Sequence, residues 1–400
     1  MSRVRVLAVL AVLAVLAAPA TPGLVQVAAQ TPMTYPDILA KARPTTEQWR
    51  LDSRFAEWRG QLQETRGFLR EGPTLSLDAG ARRSPGVVRS TDKGVELEWP
   101  LFLSPTLRSD MERSLGQADP LLEESARREA ALRVKLGYLD AWLAQRLLAL
   151  RETDLATVER WLLATQARVR AGAEPDYQVA LVEGERLKAQ QELDEARTQM
   201  ARAWAVLVAL ADLPSLPVSL ADPGVIQAIP EDNIEASLRL GPLRKALRAQ
   251  VELEERSLRL KQAQALSRWS VRGSYSTEGD DRISRLGLAV RLPRPGEATS
   301  ARQSTETQIR VLHGEYRQAL AELDARILGV AYRFQKASTV SPVPDFTRAI
   351  QEVGQRLEAG KDQPSEAFPI RRQLLEAQMA ALKRIETRHA IIAEIQYLLP

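Results

Sequence analysis

The sequence predicts a mainly α-helical fold in which long helical hairpins are joined to a small β part. Three observations indicate it: a helix-forming composition, two pairs of segments with alternating polarity, and two glycine turns between long helical segments. Aromatic residues make up only 5% of the chain, which is typical of long helices rather than compact cores. Lys+Arg 55 and Asp+Glu 51 leave a formal charge of +4, so we predict no nucleic-acid partner.

Residues 1–29 are predicted to be an export signal. Arg3 and Arg5 precede a short apolar segment and then small residues. We favour cleavage after Ala29, with Ala20 as the alternative. A membrane-anchor helix is the other interpretation, but the apolar segment is shorter than the ~20 residues that a spanning helix needs. With no cysteine, the chain has neither a disulfide nor a cysteine for lipid attachment.

Residues 30–230 are predicted to form a first structural repeat. A helix is followed by a strand pair at 74–102, because apolar and polar residues alternate there. Ser104-Pro105 then opens a helical segment that Gly172 ends; the positions from Thr106 to Ala171 span about 100 Å. Glycine ends helices in the left-handed conformation. Two return segments have together nearly the length of the outgoing helix, so we expect a hairpin with its turn near Gly172.

Residues 231–400 repeat this plan. They contain a helix, a strand pair at 269–292 and a helical hairpin with its turn near Gly360, followed by a final helix from about Phe368. Corresponding residues of the two halves are separated by a nearly constant interval of about 190 positions, which predicts an internal two-fold repeat. The second turn is predicted to be longer and more charged than the first.

The strands indicate a membrane and several chains. Four strands cannot close a barrel, since small barrels need about eight, and lipid cannot satisfy the open edges of a sheet. If the strands lie in a membrane, several chains must therefore close the barrel together. Trp99, Phe102 and Trp269 near strand ends fit an aromatic girdle at the membrane interface. The alternative is a small soluble sheet on which the helices pack.

No pattern in the sequence predicts catalysis, a metal site or a cofactor. His313 and His389 lie on separate predicted helices, and without cysteine they form no recognisable metal-binding motif. Phosphate-binding loops and nucleophile motifs are absent from the sequence. We therefore predict that the protein is not an enzyme.

Taken together, the order and spacing of these elements resemble the TolC-type outer-membrane efflux family across the mature chain. The resemblance is carried by five segments: Pro73–Leu77, Trp99–Phe102, Leu288–Pro293, Arg170–Asp176 and Glu358–Gly360. It implies a homotrimer in the outer membrane, with a β-barrel shared by the three chains and a periplasmic tunnel of helices, an α-barrel. It further implies an exit duct for a tripartite efflux or type I secretion system, docked at the turns to a periplasmic adaptor and an inner-membrane pump.

The turns are the predicted functional sites. The residues expected to face the adaptor are Arg168, Arg170, Gly172, Glu174, Asp176 and Gly360. Asp362 and Glu366 are expected to form a charged constriction of the pore, because rings of carboxylates favour cations. The alternative is that these are solvated turn residues.

Two other protein classes remain open at this point. A periplasmic adaptor also contains a long hairpin, but a single one flanked by lipoyl-like β segments. A soluble periplasmic coiled-coil scaffold would use the helices alone.

Overall fold

A computed structural model describes most of the chain. The described residues are 31–65, 74–82, 90–101, 105–224, 238–266, 269–278, 281–290, 296–338 and 346–399. The predicted signal segment 1–29 and Phe102 lie outside them.

Helices form most of the described chain, and the predicted mainly α-helical class is confirmed. In chain order the helices are α1 (Tyr35–Leu39), α2 (Thr46–Glu64), α3 (Pro105–Arg170), α4 (Tyr177–Leu210), α5 (Pro242–Ala265), α6 (Glu297–Ser338), α7 (Thr347–Glu358) and α8 (Pro364–Leu398). The strands are β1 (Thr74–Arg82), β2 (Ser90–Pro100), β3 (Trp269–Glu278) and β4 (Asp281–Val290). The short α1 is the one described helix that the sequence pattern did not predict.

The strands form one four-stranded antiparallel sheet in the order β1-β2-β3-β4. The two strand pairs, far apart in sequence, thus meet where β2 pairs with β3. Leu97 lies opposite Gly273, and Glu98 lies opposite Arg272. Because side chains alternate between the faces of a sheet, this register separates an apolar face from a polar one. The apolar face carries Leu75, Leu77, Val95, Leu97, Trp99, Trp269, Val271, Tyr275, Leu286, Leu288 and Val290.

The first hairpin runs away from the sheet along α3 and returns along α4 and α5. A helix with the 66 residues of α3 is about 100 Å long. Its start packs against α2 and α5 around Trp58, Met111 and Leu253, all nearly inaccessible to solvent. Its middle packs against α1 and α4 around Tyr138 and Trp204. Helix α3 therefore packs against different helices at different points along its length.

The segment after α4 is fixed against both helices of the hairpin. Trp142 donates from Nε1 to the Asp222 carboxylate at 3.0 Å, and the Leu220 amide donates to the Gln145 side chain at 3.0 Å. Trp204 donates to the carbonyl of Pro214 at 3.1 Å. These hydrogen bonds hold the proline-rich segment after α4 against α3 and α4.

The second hairpin consists of α6, α7 and α8, and it corrects one prediction. Helix α8 begins at Pro364 rather than at Phe368, because proline is well suited to the first turn of a helix. Residues 359–363 thus form the second turn, which is shorter than the first turn at 171–176. The prediction of a longer second turn is wrong.

Both hairpins are packed together near their turns. Val158, Trp161 and Val182 of the first hairpin share a buried cluster with Leu357 and Phe368 of the second. The ring of Trp161 stacks on that of Phe368 at a centroid distance of 5.8 Å. The two turns of one chain therefore lie side by side. Among the helices that the structure describes, none is both long enough and apolar enough to cross a membrane.

Candidate functional site

Both turns end their helix in the same backbone geometry. At the first turn Gly172 has φ +73°, its amide donates to Val169 O at 2.9 Å, and the Ala173 amide donates to Arg168 O at 2.9 Å. At the second turn Gly360 has φ +66°, with the corresponding bonds from its own amide and from that of Lys361. This is the Schellman motif, in which glycine avoids the strain of a positive φ.

An arginine closes each turn onto an acidic residue. Arg168 lies four residues before Gly172, and its Nε donates to Oε1 of Glu174 at 2.6 Å. Arg356 holds the same position before the second glycine and donates to both carboxylate oxygens of Asp362, at 2.9 and 2.8 Å. These hydrogen bonds hold the pKa of the Asp362 carboxyl below its ordinary value. We call these two ion pairs the turn clamps.

Arg168 also links the two turns to each other. Its Nη1 donates to the carbonyl oxygen of Glu358 at 3.4 Å, and its Nη2 donates to Oγ1 of Thr165 at 3.1 Å. A Cβ added to Gly360 would lie 3.6 Å from Cδ of Arg168. Arg160 adds an ion pair to the Glu358 carboxylate at 3.2 Å. The turns are therefore held as one double tip, which we define as residues 168–177 and 356–366.

The predicted turn residues fall into two groups in this geometry. Glu174 and Asp362 are used inside the turn clamps, so their charges are already compensated within the chain. Arg170 and Asp176 are exposed. Glu366 is also exposed and lines a surface groove together with Asp362. A partner could therefore contact mainly the side chains of Arg170, Asp176 and Glu366 and the exposed backbone at the two glycines.

A buried charge network lies behind the double tip, and the sequence patterns did not predict it. The guanidinium of Arg371 on α8 binds the carboxylate of Asp154 on α3, and their side chains are only 4% and 3% exposed. Arg371 also lies 4.9 Å from the ring of Trp161. Burial raises the pKa of the Asp154 carboxyl in spite of this partner. This buried ion pair thus joins α3 of the first hairpin to α8 of the second.

An alignment of the two turns in the sequence could have predicted the clamps. Each turn has arginine four positions before the glycine and an acidic residue two positions after it. The contact between Arg371 and Asp154 has no comparable local signal, because 217 positions separate its partners.

Aromatic residues occur where β2 and β3 approach the helices. Trp269 opposes Val290 and is 44% exposed, while Trp99 opposes Val271 and is partly buried. The polar face beside them carries Arg272, which forms ion pairs with Glu96 at 2.6 Å and Glu98 at 3.1 Å. Exposed apolar residues on one face and paired charges on the other are unusual for a sheet in water.

In the part of the chain that the structure describes, His, Cys, Asp and Glu side chains nowhere gather in a group of three that could hold a metal ion. His313 instead lies 3.3 Å from Glu255. His389 is buried, and burial lowers the pKa of its imidazole.

Comparisons with known proteins agree with this architecture. Residues 35–211 match the model of a family described as outer membrane efflux protein. Among curated proteins, no sequence matches the chain.

Solved outer-membrane channels have the same fold. The CmeC outer membrane channel of Campylobacter jejuni is similar over 90% of this chain and 84% of its own, with TM-score 0.66 and 12% identity. VceC of Vibrio cholerae is similar over 91% and 95%, with TM-score 0.65 and 14% identity. The open MtrE channel of Neisseria gonorrhoeae is similar over 91% and 87%, with TM-score 0.59 and 17% identity. Residues 35–211 are thus similar to the outer membrane efflux protein family, whose members are channels, and the chain has the fold of solved outer-membrane channels.

Proposed function

We propose that this protein is the outer-membrane exit duct of a tripartite export system, through which solutes leave passively. The observation that carries the proposal is the two-faced sheet at the end of the long hairpins. Leu286 and Leu288 are 84% and 67% exposed on its apolar face, which would be costly in water and suits lipid. The polar face, with Arg272 and its carboxylate partners, would line the aqueous passage.

A closed barrel would require further copies of the chain. Strand β1 pairs only with β2, and β4 only with β3, in the sheet as the structure describes it. Their outer edges carry backbone groups that lipid cannot satisfy, so β1 of one copy pairing with β4 of the next would complete the ladder. The similarity to outer membrane efflux proteins supports a homotrimer for this closure. The hairpins of the three chains would then continue the passage as a tunnel into the periplasm.

The double tip is proposed as the docking site for a periplasmic adaptor, which would connect the duct to an inner-membrane pump. It lies at the end of the hairpins that is opposite the sheet. It exposes Arg170, Gly172, Asp176 and Gly360, while the turn clamps fix its backbone. The shared geometry of the two turns supports the same role for both. The pore constriction predicted at Asp362 and Glu366 is proposed to depend on Glu366, because the guanidinium of Arg356 already compensates the charge of the Asp362 carboxylate.

Fractionation of cells tests the proposal against a soluble periplasmic scaffold. We expect the protein in the outer membrane, extracted by detergent as a trimer that chemical cross-linking captures. Recovery of a monomer in the soluble periplasmic fraction would contradict the exit duct.

Substitution of the first turn glycine tests the docking site. We expect Gly172→Trp to leave trimers assembled but to abolish export, because a bulky side chain would stand on the docking surface. The strain of a positive φ, about 1–2 kcal/mol, is too small to unfold the hairpin. Cell resistance to toxic compounds and co-purification of the adaptor after cross-linking measure the effect.

The matched control is Gly172→Asn, because asparagine tolerates the left-handed conformation and adds little bulk. It should retain most of the export. If Gly172→Trp exports normally, the turn is not the docking site, and if both variants fail equally, bulk is not the reason.

A further inference from the structure

We propose that the outer end of the apolar sheet face binds the phosphate groups of an outer-leaflet lipid through Lys93 and Arg282. Lys93 lies opposite Thr277, and Thr277 lies opposite Arg282. The three residues therefore form one row across β2, β3 and β4, which we call the basic row. This inference rests on the proposed function, because it requires the apolar face to lie in lipid.

The basic row sits where the apolar face ends. The next row towards the helices contains Val95 and Tyr275. The rows still closer to the helices contain Leu97, Leu286 and Trp99. Successive rows on one face are about 7 Å apart. The cations thus follow directly after the apolar belt, on the side away from the helices. With the helices in the periplasm, that side faces the outer leaflet and its headgroups.

Both cations lack a protein partner among the described residues. Lys93 and Arg282 are exposed, and within the described chain neither forms an ion pair. The described carboxylates of the sheet, Asp78, Glu96 and Glu98, lie on the opposite face by register. By contrast, Arg272 on that polar face is held between two of them. Among the described side chains, the apolar face therefore carries two positive charges that no carboxylate of that face compensates.

The spacing suits a lipid with more than one phosphate. Strands β2 and β4 are separated by β3, so the backbones of Lys93 and Arg282 are about 10 Å apart. Their flexible side chains can reach two phosphates of one headgroup. A basic cluster beside a membrane attracts anionic lipid by about 1 kcal/mol per cation.

The test measures binding of lipid A with two phosphates to the purified, detergent-solubilised full chain. We expect Lys93→Gln/Arg282→Gln to weaken binding roughly 25-fold, about fivefold per cation. Arg285→Gln is the matched control, because Arg285 is an exposed cation of β4 on the opposite face; it should bind as the unmodified protein does. Lipid A stripped of its phosphates should bind the unmodified protein as weakly as the double variant binds lipid A.

Four results would overturn the inference, and the first three concern the variants and the lipid. They are unchanged binding by the double variant, an equal loss in Arg285→Gln, and equal binding of lipid A without phosphates. Competition by millimolar inorganic phosphate at the same strength would also overturn it, because the lipid would then add nothing. The proposed function is tested separately by the fractionation of the unmodified protein. Outer-membrane trimers with unchanged lipid A binding in the double variant would contradict only the basic row.

Discussion

Leu286→Arg is expected to reduce the amount of trimer in the outer membrane more than tenfold. Leu286 is 84% exposed in the middle of the apolar face, in the row of Leu97 and Gly273. An arginine at the middle of the lipid-facing belt of a barrel costs about 2–4 kcal/mol. The proposed trimer would carry the substitution three times, so the penalty would be repeated around the barrel. Fractionation followed by quantification of the trimer on gels measures the effect.

Ser274→Arg is the control for this substitution. Ser274 lies on the polar face between Glu96 and Arg285, so an added cation meets a carboxylate on one side, a like charge that costs no more than about 1 kcal/mol on the other, and water. It should insert almost as well as the unmodified protein. Equal yields for Leu286→Arg and Ser274→Arg would contradict the assignment of the two faces.

Arg371→Met is expected to lower the free energy of unfolding by about 3–5 kcal/mol, because it leaves the Asp154 carboxylate buried without its partner. The pair joins α3 to α8, so the loss should loosen the second hairpin from the first near the double tip. Chemical denaturation of the detergent-solubilised protein measures the change. Removing both charges in Asp154→Leu/Arg371→Met should restore most of the stability, since no isolated buried charge remains.

The neighbouring Arg372→Met provides a matched control. Its side chain is 47% exposed, and its partner Glu185 keeps a second guanidinium, that of Arg371, at 3.8 Å, so its loss should cost no more than about 1 kcal/mol. A similar loss of stability in the Arg372 and Arg371 variants would show that burial of the pair is not the cause.

The Arg371→Met variant should also regain stability as the pH falls below neutral. Burial raises the pKa of Asp154 in the folded protein above its ordinary value, and loss of the arginine raises it further. Between the unfolded and folded pKa values the folded state binds more protons, so stability falls as pH rises through that window. Denaturation curves from pH 7 towards pH 4, compared with those of the double variant, isolate this effect. A variant that loses stability on acidification, relative to the double variant, would contradict a buried unpaired carboxylate.

Local patterns in the sequence were sufficient for the elements and for the turn glycines. The alternation of apolar and polar residues at 74–102 and 269–292 predicted the strands, because successive side chains of a strand point to opposite faces of the sheet. Gly172 and Gly360 were predicted to end helices, and both have positive φ. Glycine conformation depends on the chain immediately around it, so the sequence is informative there.

The start of α8 differs from what the local sequence pattern predicts. The second turn was predicted to be longer and more charged than the first, but Pro364 begins the helix and Pro369 is accommodated inside it. Packing of Phe368 against Trp161 supports helix in this segment. A proline only limits the conformations of its own neighbourhood, and tertiary contacts select among them.

By itself the sequence determined the mainly helical class, the order of strands and hairpins, and the family resemblance, which the family match confirms. These follow from periodicity and spacing along the chain. Only the tertiary structure decided that β2 pairs with β3, that Arg168 ties one turn to the other, and that Arg371 meets Asp154. Each joins residues at least 170 positions apart. Such contacts depend on how whole helices and strands pack against one another, and no local sequence period predicts that packing.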